Sequence, residues 1–326
     1  MCARLPAGLS WAMTTSTRPR HSTRVLARSP EHSRTLPSWI YRDEALLERE
    51  REAIFRRGWC FVGHGSDVRG GRTAEGRIDD CPVRLRLGED GSVQGHRLDG
   101  ASPRPIHTTV VSGLVFANLD DAASDLATLA PDFGASLRDF VPRIEELVLC
   151  HRSRHEVACN WKVLIENSLE CYHCEPCHPG FSEDVDMATY RSQSDGVLTI
   201  HSGRYRGGDT PFRYWYLWPL TEIDASQGEK PRLSIYTREA IGAGRFAMIG
   251  HFYRLPSDLP DAREIAHMEG NDTLLEDYAI CESVQRGLAS RGYGRGRFIV
   301  DPERSHISEH SVHHFQLLLA DALDLA

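Results

Sequence analysis

The stretch from Asn160 to Pro179, NWKVLIENSLECYHCEPCHP, decides the fold and holds most of the chemistry of this sequence. Asn160 is a favoured helix N-cap, and a regular helix cannot continue through Pro179, so the stretch predicts a helix that ends or distorts inside it. On that helix Glu166, Glu170 and His173 are spaced at i, i+4 and i+7. This spacing predicts that their side chains share one face.

Two histidines of this stretch are candidate metal ligands. His173 and His178 are five residues apart, which on an ideal helix separates their side chains by about 140°. Both can bind one ion only if the helix is interrupted between them, and Pro176 favours such an interruption. Two histidines and one carboxylate leave coordination positions open, which is the arrangement that lets Fe(II) bind oxygen beside a substrate.

The carboxylate of such a site must come from elsewhere in the chain. A helix predicted from Asp261 to Arg291 offers four acids, and spacing alone does not choose between them: Asp272, Glu276, Asp277 and Glu282.

The cysteines of the central stretch leave two further interpretations of this region open. Cys174 to His178, CEPCH, matches the pattern of c-type haem attachment, and overlapping CxxC steps are typical of zinc or cluster ligands.

The regions on either side of this stretch predict the fold class. Residues 59–119 contain short strands punctuated by Gly and Pro, which predicts a small all-β module. Residues 197–255 alternate aromatic and aliphatic side chains between turn signals, which predicts an antiparallel sheet with one buried face. Helices predicted at 261–291 and 307–323 follow this sheet. The fold class is therefore α+β, with helices covering one face of a sheet over residues 130–326.

Composition excludes several classes of function. The chain has 326 residues, of which 40% are hydrophobic and 26% charged, and its formal net charge is -8. These values exclude disorder throughout and argue against a nucleic-acid partner, which needs a surplus of cations. The sequence has no apolar run of the 18 or more residues that a membrane-spanning helix needs, so no membrane partner is expected.

The cysteines indicate the cellular compartment of the protein, and the N-terminal region indicates at which residue the folded structure begins. Five of the nine cysteines fall between Cys150 and Cys177, too clustered for a secreted disulfide framework, which favours a reducing, cytoplasmic location. Residues 1–38 are rich in Arg, Ser and Thr and predict a disordered tail, or an over-long start with Met13 as the initiator. Residues 39–58 contain a predicted N-terminal helix over Asp43–Arg57.

The central stretch resembles the iron-site signature of one enzyme family. Its pattern N-W-K-x3-E-N-x2-E-x-Y-H-x4-H-P is similar to that of the α (oxygenase) subunits of Rieske-type mononuclear iron oxygenases, which hydroxylate aromatic rings or demethylate small substrates. The resemblance extends from about Trp39 through Phe315. Within it, RRGWCFVGH, YWYLWP and EDYAICESVQRGL are most similar to members that act on quaternary ammonium compounds such as glycine betaine or choline.

The resemblance implies roles for named residues. His173, His178 and Asp277 would bind a mononuclear Fe(II), and Glu170 would link this iron to the electron-donating cluster of a neighbouring subunit in a trimer. Asn167 would lie near the site. The domain after Pro179 would be a helix-grip fold enclosing a small substrate and O2, with a reductase as partner.

One feature of the family is missing from this sequence. Family members carry a [2Fe-2S] centre in the β module, held by Cys-x-His and a later Cys-x-x-His. Here Cys171 to His173 is the sole Cys-x-His, inside the iron motif, and Cys-x-x-His does not occur. The candidates left in the module lack this spacing; they are Cys60, His64, Cys81, His96 and His107. We therefore expect a truncated Rieske-like module in which the ligand loops are missing between Gln94 and His96.

Loss of the cluster leaves three hypotheses open, because an oxygenase of this kind receives its electrons through that cluster. In the first hypothesis, the chain keeps a working iron site and takes electrons from a cluster-bearing partner in a mixed trimer. In the second, it binds a ligand without redox turnover. In the third, it is an inactive remnant of an oxygenase.

The sequence also supports an expectation about the substrate. One carboxylate against Fe(II) leaves the site positive, which favours a substrate carboxylate at the metal. Four aromatic residues could bind a trimethylammonium group, although aromatics at strand spacing are also typical of plain core: Tyr214, Trp215, Tyr216 and Trp218.

Overall fold

The computed structural model describes residues 25–270 and 272–325. The helices are α1 (Glu44–Glu50), α2 (Leu126–Leu129), α3 (Phe133–Phe140), α4 (Trp161–Ser168), α5 (Cys174–Cys177), α6 (Pro179–Asp184), α7 (Ala262–Glu269), α8 (Asp272–Leu288) and α9 (His310–Ala322). The strands are β1 (Cys60–His64), β2 (Ala74–Ile78), β3 (Cys81–Leu87), β4 (Val93–Arg97), β5 (Arg104–Val111), β6 (Leu114–Asn118), β7 (Val148–Val157), β8 (Arg191–Asp195), β9 (Leu198–Arg204), β10 (Pro211–Leu217), β11 (Thr221–Ser226), β12 (Arg232–Gly242) and β13 (Arg245–Arg254). None of the helices in the described ranges is long and apolar enough to cross a bilayer.

The first sheet is the predicted all-β module. Its six antiparallel strands follow the order β1-β6-β5-β4-β3-β2. Residues 108–119, inside the predicted all-β region, form most of the hairpin of β5 and β6, which turns at Ser112 and Gly113, both with positive φ. β4 runs without interruption from Val93 to Arg97 and pairs with β3 on one side and β5 on the other. The point at which the ligand loops were expected to be missing, between Gln94 and His96, is therefore the middle of a continuous strand.

The second sheet has seven antiparallel strands in the order β7-β13-β12-β11-β10-β9-β8. Both faces of this sheet are buried. One face packs with α4, α8 and α9 through side chains such as Tyr216 and Phe246, and the other packs with α2, α3 and β6 through Trp215 and Ile223. A sheet gripped by long helices on one face is the α+β helix-grip architecture that the sequence predicts.

Two details of the second domain differ from the sequence prediction. The helix predicted from Asp261 to Arg291 is two helices, because α7 ends at Glu269 and Gly270 forms its C-cap. Strands β8 and β11 were missed, since their polar residues give no strand alternation; Arg191–Asp195 reads RSQSD and Thr221–Ser226 reads TEIDAS. Both strands are held by pairing with neighbours rather than by their own propensity.

Ordered structure begins at a lower residue number than the sequence predicts. Residues 25–38, assigned to a disordered tail by the sequence, pack on the C-terminal helix, with Leu26 and Leu36 buried. The Leu36 amide donates to Gln316 on α9 at 2.7 Å. That part of the tail prediction is wrong, because the partner of these leucines lies about 280 residues further along the chain. The alternative start at Met13 and the rest of the tail lie outside the described residues.

Replacing Gly76 in β2 with alanine is expected to destabilise the β module. A Cβ at this position would lie 2.1 Å from the carbonyl oxygen of Val62, so the backbone of β1 or β2 must shift. Such overpacking costs about 1–3 kcal/mol, measurable as a lower urea midpoint. The control is Gly287→Ala on α8, where a Cβ meets no atom within 4 Å and a gain of about 0.4–1 kcal/mol is expected. Equal midpoints for the two variants would contradict this prediction.

Candidate metal centre

The motif segment folds as three short helices rather than one. Asn160 caps α4 by accepting the amide of Lys162, and the helix ends at Ser168. Helices α5 and α6 follow, and His178 lies between them with φ -123° and ψ 71°, outside the helical region. The expected interruption between the two histidines is therefore present. The expectation that Glu166 shares a helix face with Glu170 and His173 is wrong, because α4 ends before Glu170.

Three side chains of the segment and of α8 converge on one point. His173 and His178, from the two sides of α5, meet Asp277 of α8, and a candidate ligand atom from each lies within 4.8 Å of the others. Nε2 of His178 lies 3.0 Å and Nε2 of His173 lies 3.3 Å from the same oxygen, Oδ1 of Asp277. In the part of the chain that the structure describes, this is the only such group of three or more His, Cys, Asp or Glu residues.

The outer nitrogens of both histidines are held by carboxylates. Nδ1 of His173 lies 2.7 Å from Glu170, and Nδ1 of His178 lies 2.7 Å from Glu276. A carboxylate on Nδ1 fixes the orientation of an imidazole and leaves Nε2 as the nitrogen that faces inward. Both rings are therefore oriented as metal ligands are.

Asn167 connects the converging side chains. Its Nδ2 group donates to Oδ1 of Asp277 at 2.6 Å and lies 3.5 Å from Nε2 of His173. The side-chain amide of Asn167 therefore holds the Asp277 carboxylate in the orientation in which it faces the two imidazoles. Of the other acids on α8, Glu282 accepts the amide of Ala158, 3.0 Å away, and does not reach this site, while the side chain of Asp272 lies outside the described residues.

The electrostatics of the cluster favour a cation. Burial disfavours the charged form of His173, but hydrogen bonds with Asp277 and Glu170 outweigh burial and raise the pKa of His173 to about 10. Burial alone would raise the pKa of Asp277, and hydrogen bonds from the two imidazoles lower it instead. Three carboxylates therefore surround two imidazoles, and they stabilise positive charge between them.

Two cavities meet at this cluster. The cavity that contains the three converging residues, named the inner cavity, has a volume of about 140 Å³ and opens to solvent. Its lining includes the three converging residues, two of the three cysteines of the segment (Cys171 and Cys174) and four aromatic residues, Phe181, Tyr190, Phe212 and Tyr214. The outer cavity has a volume of about 360 Å³ and is lined by residues of α4, α8 and α9. Three residues line both cavities and separate them: Asn167, Glu170 and His173.

The aromatic residues expected at the substrate site are mostly elsewhere. Of the four, Tyr214 alone lines the inner cavity. Trp215 points to the opposite face of β10 and donates to Ser136, since successive residues of a strand alternate between faces. Tyr216 donates to the Pro219 carbonyl, and Trp218 packs on Phe315 in the core. The sequence missed Tyr190 and Phe212, whose flanking residues gave no signal of a cavity.

A partly buried acid that lines the outer cavity, Glu166, predicts a pH dependence of stability. Burial raises the pKa of Glu166 from 4.5 to about 7, although hydrogen bonds from Tyr41 and Gln316 oppose the rise. Between these values the folded state keeps a proton that the unfolded state loses, so stability falls by up to about 3 kcal/mol as pH rises through this window. Glu166→Gln should remove that loss and raise the urea midpoint more at about pH 8 than at about pH 5. Parallel pH profiles for the two proteins would contradict the assignment.

The β module does not bring its cysteines and histidines together. Within the described ranges they form no group that could hold a metal. His64 is buried and its ring nitrogens contact Ser66 and the Ile144 carbonyl instead. Cys174 is joined to Cys171 in a disulfide, so neither sulfur is free for haem attachment or zinc in this state.

The helix-grip fold and the cluster of two histidines and one aspartate are typical of the catalytic domains of mononuclear iron oxygenases. A comparison with known protein families gives the same class. Residues 144–233 and 243–325 match the catalytic domain of ring-hydroxylating alpha subunits. The chain belongs to this family. Its members are Rieske-type oxygenases, which use a [2Fe-2S] centre and a mononuclear iron.

Particular relatives narrow the comparison. The carnitine monooxygenase oxygenase subunit of Acinetobacter pittii is 27% identical, with 90% of this chain and 95% of the relative covered. The chloroplastic choline monooxygenase of Beta vulgaris is 24% identical, covering 90% and 78%. A crystal structure of a quaternary ammonium Rieske monooxygenase with an inhibitor has a TM-score of 0.81 at 27% identity, covering 90% of this chain and 96% of that one. The alignment with the Acinetobacter protein spans 354 positions, more than the 326 residues of this chain, so the relative has segments that this chain lacks.

Proposed function

We propose that this chain is a mononuclear iron oxygenase that oxidises a small quaternary ammonium compound next to its nitrogen. In this proposal His173, His178 and Asp277 bind Fe(II), and electrons come from a cluster-bearing partner chain. The proposal is carried by one observation, the convergence of these three side chains with both outer imidazole nitrogens held by carboxylates. Membership of the ring-hydroxylating alpha-subunit family supports it.

The distances fit an ion of this size. Two ligand atoms, each about 2.1 Å from a metal and at right angles, are about 3.0 Å apart. The two Nε2 to Oδ1 distances are 3.0 Å and 3.3 Å, so an ion fits between these atoms with little movement of the side chains. Ferrous iron held by two histidines and one carboxylate supplies open positions at which oxygen is activated beside the substrate.

The charge around the site favours a cationic substrate. The sequence suggested one carboxylate against the iron, but Glu170 and Glu276 contact the two histidines as well as Asp277. An ion of charge +2 with three carboxylates leaves about one negative charge in the region. A trimethylammonium group is stabilised next to such a site, which reverses the earlier preference for a substrate carboxylate at the metal.

The aromatic walls of the inner cavity support the same substrate class. Tyr190 and Phe212 stack with their ring centroids 5.9 Å apart, and Phe181 packs edge-on against Phe212 at 5.8 Å. Aromatic faces attract quaternary ammonium groups, at about 0.5–2 kcal/mol per contact. Two of the relatives are named for carnitine and choline, which are both quaternary ammonium compounds.

The surroundings of Glu170 support electron delivery from a partner. Glu170 is 6% exposed and lies between the outer cavity and the inner one. Three apolar side chains at the rim of the outer cavity are 40–45% exposed, namely Tyr172, Val284 and Tyr293. We propose that the chain assembles as a homo- or mixed trimer, that in the mixed trimer a cluster-bearing subunit docks on this rim, and that a cytoplasmic reductase supplies the electrons of that subunit. One structural relative is described as using inter-subunit electron transfer.

A second candidate function is ligand binding without turnover. It is favoured by one specific observation, the continuous strand β4 that occupies the position of the expected cluster loops. In this alternative the inner cavity binds a quaternary ammonium compound and no oxidation follows.

Metal content and a peroxide reaction test the proposal. We expect the purified chain to bind about one Fe(II) and to lack the visible spectrum of a [2Fe-2S] centre. Hydrogen peroxide supplies both the oxygen atom and the electrons, so the iron-loaded chain should oxidise carnitine, choline or glycine betaine without a partner. The products to measure by mass spectrometry are hydroxylated substrate, formaldehyde from an N-methyl carbon and trimethylamine from the chain carbon. Iron binding with no product would favour the second candidate, and no iron binding would refute the metal centre.

A further inference from the structure

Two cysteines of the motif segment have no part in the function proposed above. Cys171 and Cys174 form a disulfide, and His173 lies between them in the sequence. Both cysteines line the inner cavity together with His173, His178 and Asp277. They are 2% and 6% exposed, so the cavity is the route by which a small molecule reaches the disulfide.

The sulfur of Cys174 lies close to the position of a metal ligand. Its Sγ atom is 3.9 Å from Nε2 of His173, the nitrogen that faces Asp277. In a tetrahedral site, a sulfur about 2.3 Å and a nitrogen about 2.1 Å from the metal are about 3.6 Å apart. Once its bond to Cys171 is broken, the Cys174 side chain is free to rotate toward the point at which His173, His178 and Asp277 converge.

We propose that reduction of the disulfide turns the three-ligand centre into a four-ligand centre in which the Cys174 thiolate is the fourth ligand. This inference rests on the metal centre proposed above. Two imidazoles, a carboxylate and a thiolate form a complete tetrahedral set, which favours a thiophilic divalent cation such as Zn(II). Reduction therefore closes the centre to oxygen, and oxidation opens it.

The redox step balances with ordinary thiol chemistry. A small dithiol attacks one sulfur of the disulfide, and its second thiol completes the reaction, so two protein thiols form as the donor becomes a disulfide. The Cys174 thiol then loses its proton to water when its sulfur binds the metal. In the reverse direction, hydrogen peroxide takes two electrons from the two thiols and is reduced to two molecules of water while the disulfide forms.

Cobalt(II) spectroscopy tests the inference on the full chain. The metal-free protein is prepared in its disulfide form and, separately, in its dithiol form with the reductant removed, and each is titrated with Co(II) without air. We expect a sulfur-to-cobalt charge-transfer band in the near ultraviolet from the dithiol form and none from the disulfide form. Competition with Zn(II) should show at least about tenfold tighter Zn(II) binding by the dithiol form, since loss of an outer-shell partner alone costs roughly 10- to 100-fold.

Three single variants identify the sulfur. Cys171→Ser leaves Cys174 unable to form this disulfide, so the band should be present with or without reductant. Cys174→Ser should lack the band in both states. Cys177→Ser, which removes a free cysteine of the same segment, should behave as the parent chain does.

The outcomes separate this inference from the proposed function. Co(II) that binds with no charge-transfer band in the dithiol form or in Cys171→Ser overturns the inference and leaves the three-ligand centre standing. A band that persists in Cys174→Ser, or disappears in Cys177→Ser, overturns the assignment of the sulfur. Failure of the parent chain to bind Co(II) in either state refutes the metal centre, and the inference with it.

Discussion

Replacing Asp277 with alanine is expected to reduce bound Fe(II) from about one equivalent to near zero, because two imidazoles alone do not complete the facial ligand set. Asp277 contributes the oxygen that both Nε2 atoms approach, at 3.0 Å and 3.3 Å. Its loss also leaves Asn167 without the acceptor that it contacts at 2.6 Å. Iron per chain, measured after anaerobic loading and desalting, checks this prediction.

Two neighbouring acids on α8 provide matched controls. Glu276→Ala removes the partner of His178 Nδ1 but no ligand atom, so iron affinity should fall by about 10- to 100-fold. Glu282→Ala removes a carboxylate that bonds the Ala158 amide away from the site, and iron binding should be unchanged. Full iron stoichiometry in Asp277→Ala, or equal losses in all three variants, would contradict the ligand assignment.

The choice among these acids shows what the sequence could not decide. The spacing of His173 and His178 requires an interrupted helix, and Pro176 and Pro179 predict it. Glu276 and Asp277 are adjacent on α8, so their side chains differ by about 100° in direction. Which one reaches the inward Nε2 atoms of the histidines depends on how α8 packs against α4, through contacts such as Cys281 with the Val163 carbonyl. The resemblance to a family had to supply what spacing left open.

The aromatic residues of β10 show a second limit of prediction from the sequence, which is the direction in which a side chain points. Tyr214 and Trp215 are both typical of a strand, and both faces of β10 are buried, so the pattern alone gives no direction. The cavity face is fixed by the helices that pack on it, which come from distant parts of the chain. Strand β4 can be predicted more readily than these side-chain directions, because short strands punctuated by Gly and Pro give a local signal that needs no distant partner.

The second large expected effect is on the free energy of unfolding, and it comes from the buried ion pair between Glu50 and Lys162 at the start of the Asn160–Pro179 segment. Glu50 accepts Lys162 Nζ at 2.5 Å and Trp161 Nε1 at 2.7 Å, and both side chains of the ion pair are at most 1% exposed. Burial lowers the pKa of Lys162, and the carboxylate of Glu50 opposes that effect. Because these contacts join the end of α1 to the first turn of α4, they anchor the segment that presents His173.

Glu50→Ala should therefore cost about 3–5 kcal/mol, since it leaves a buried ammonium group and an indole N–H without their acceptor. The control is Glu52→Ala, two residues along the same region, whose ion pair with Arg56 is exposed and worth at most about 1 kcal/mol. Replacing both partners, as in Glu50→Leu with Lys162→Met, should restore most of the loss, because no uncompensated charge remains buried. The free energy of unfolding from urea titration decides between these expectations. If Glu50→Ala lost no more than Glu52→Ala, the ion pair would not be the anchor of α4.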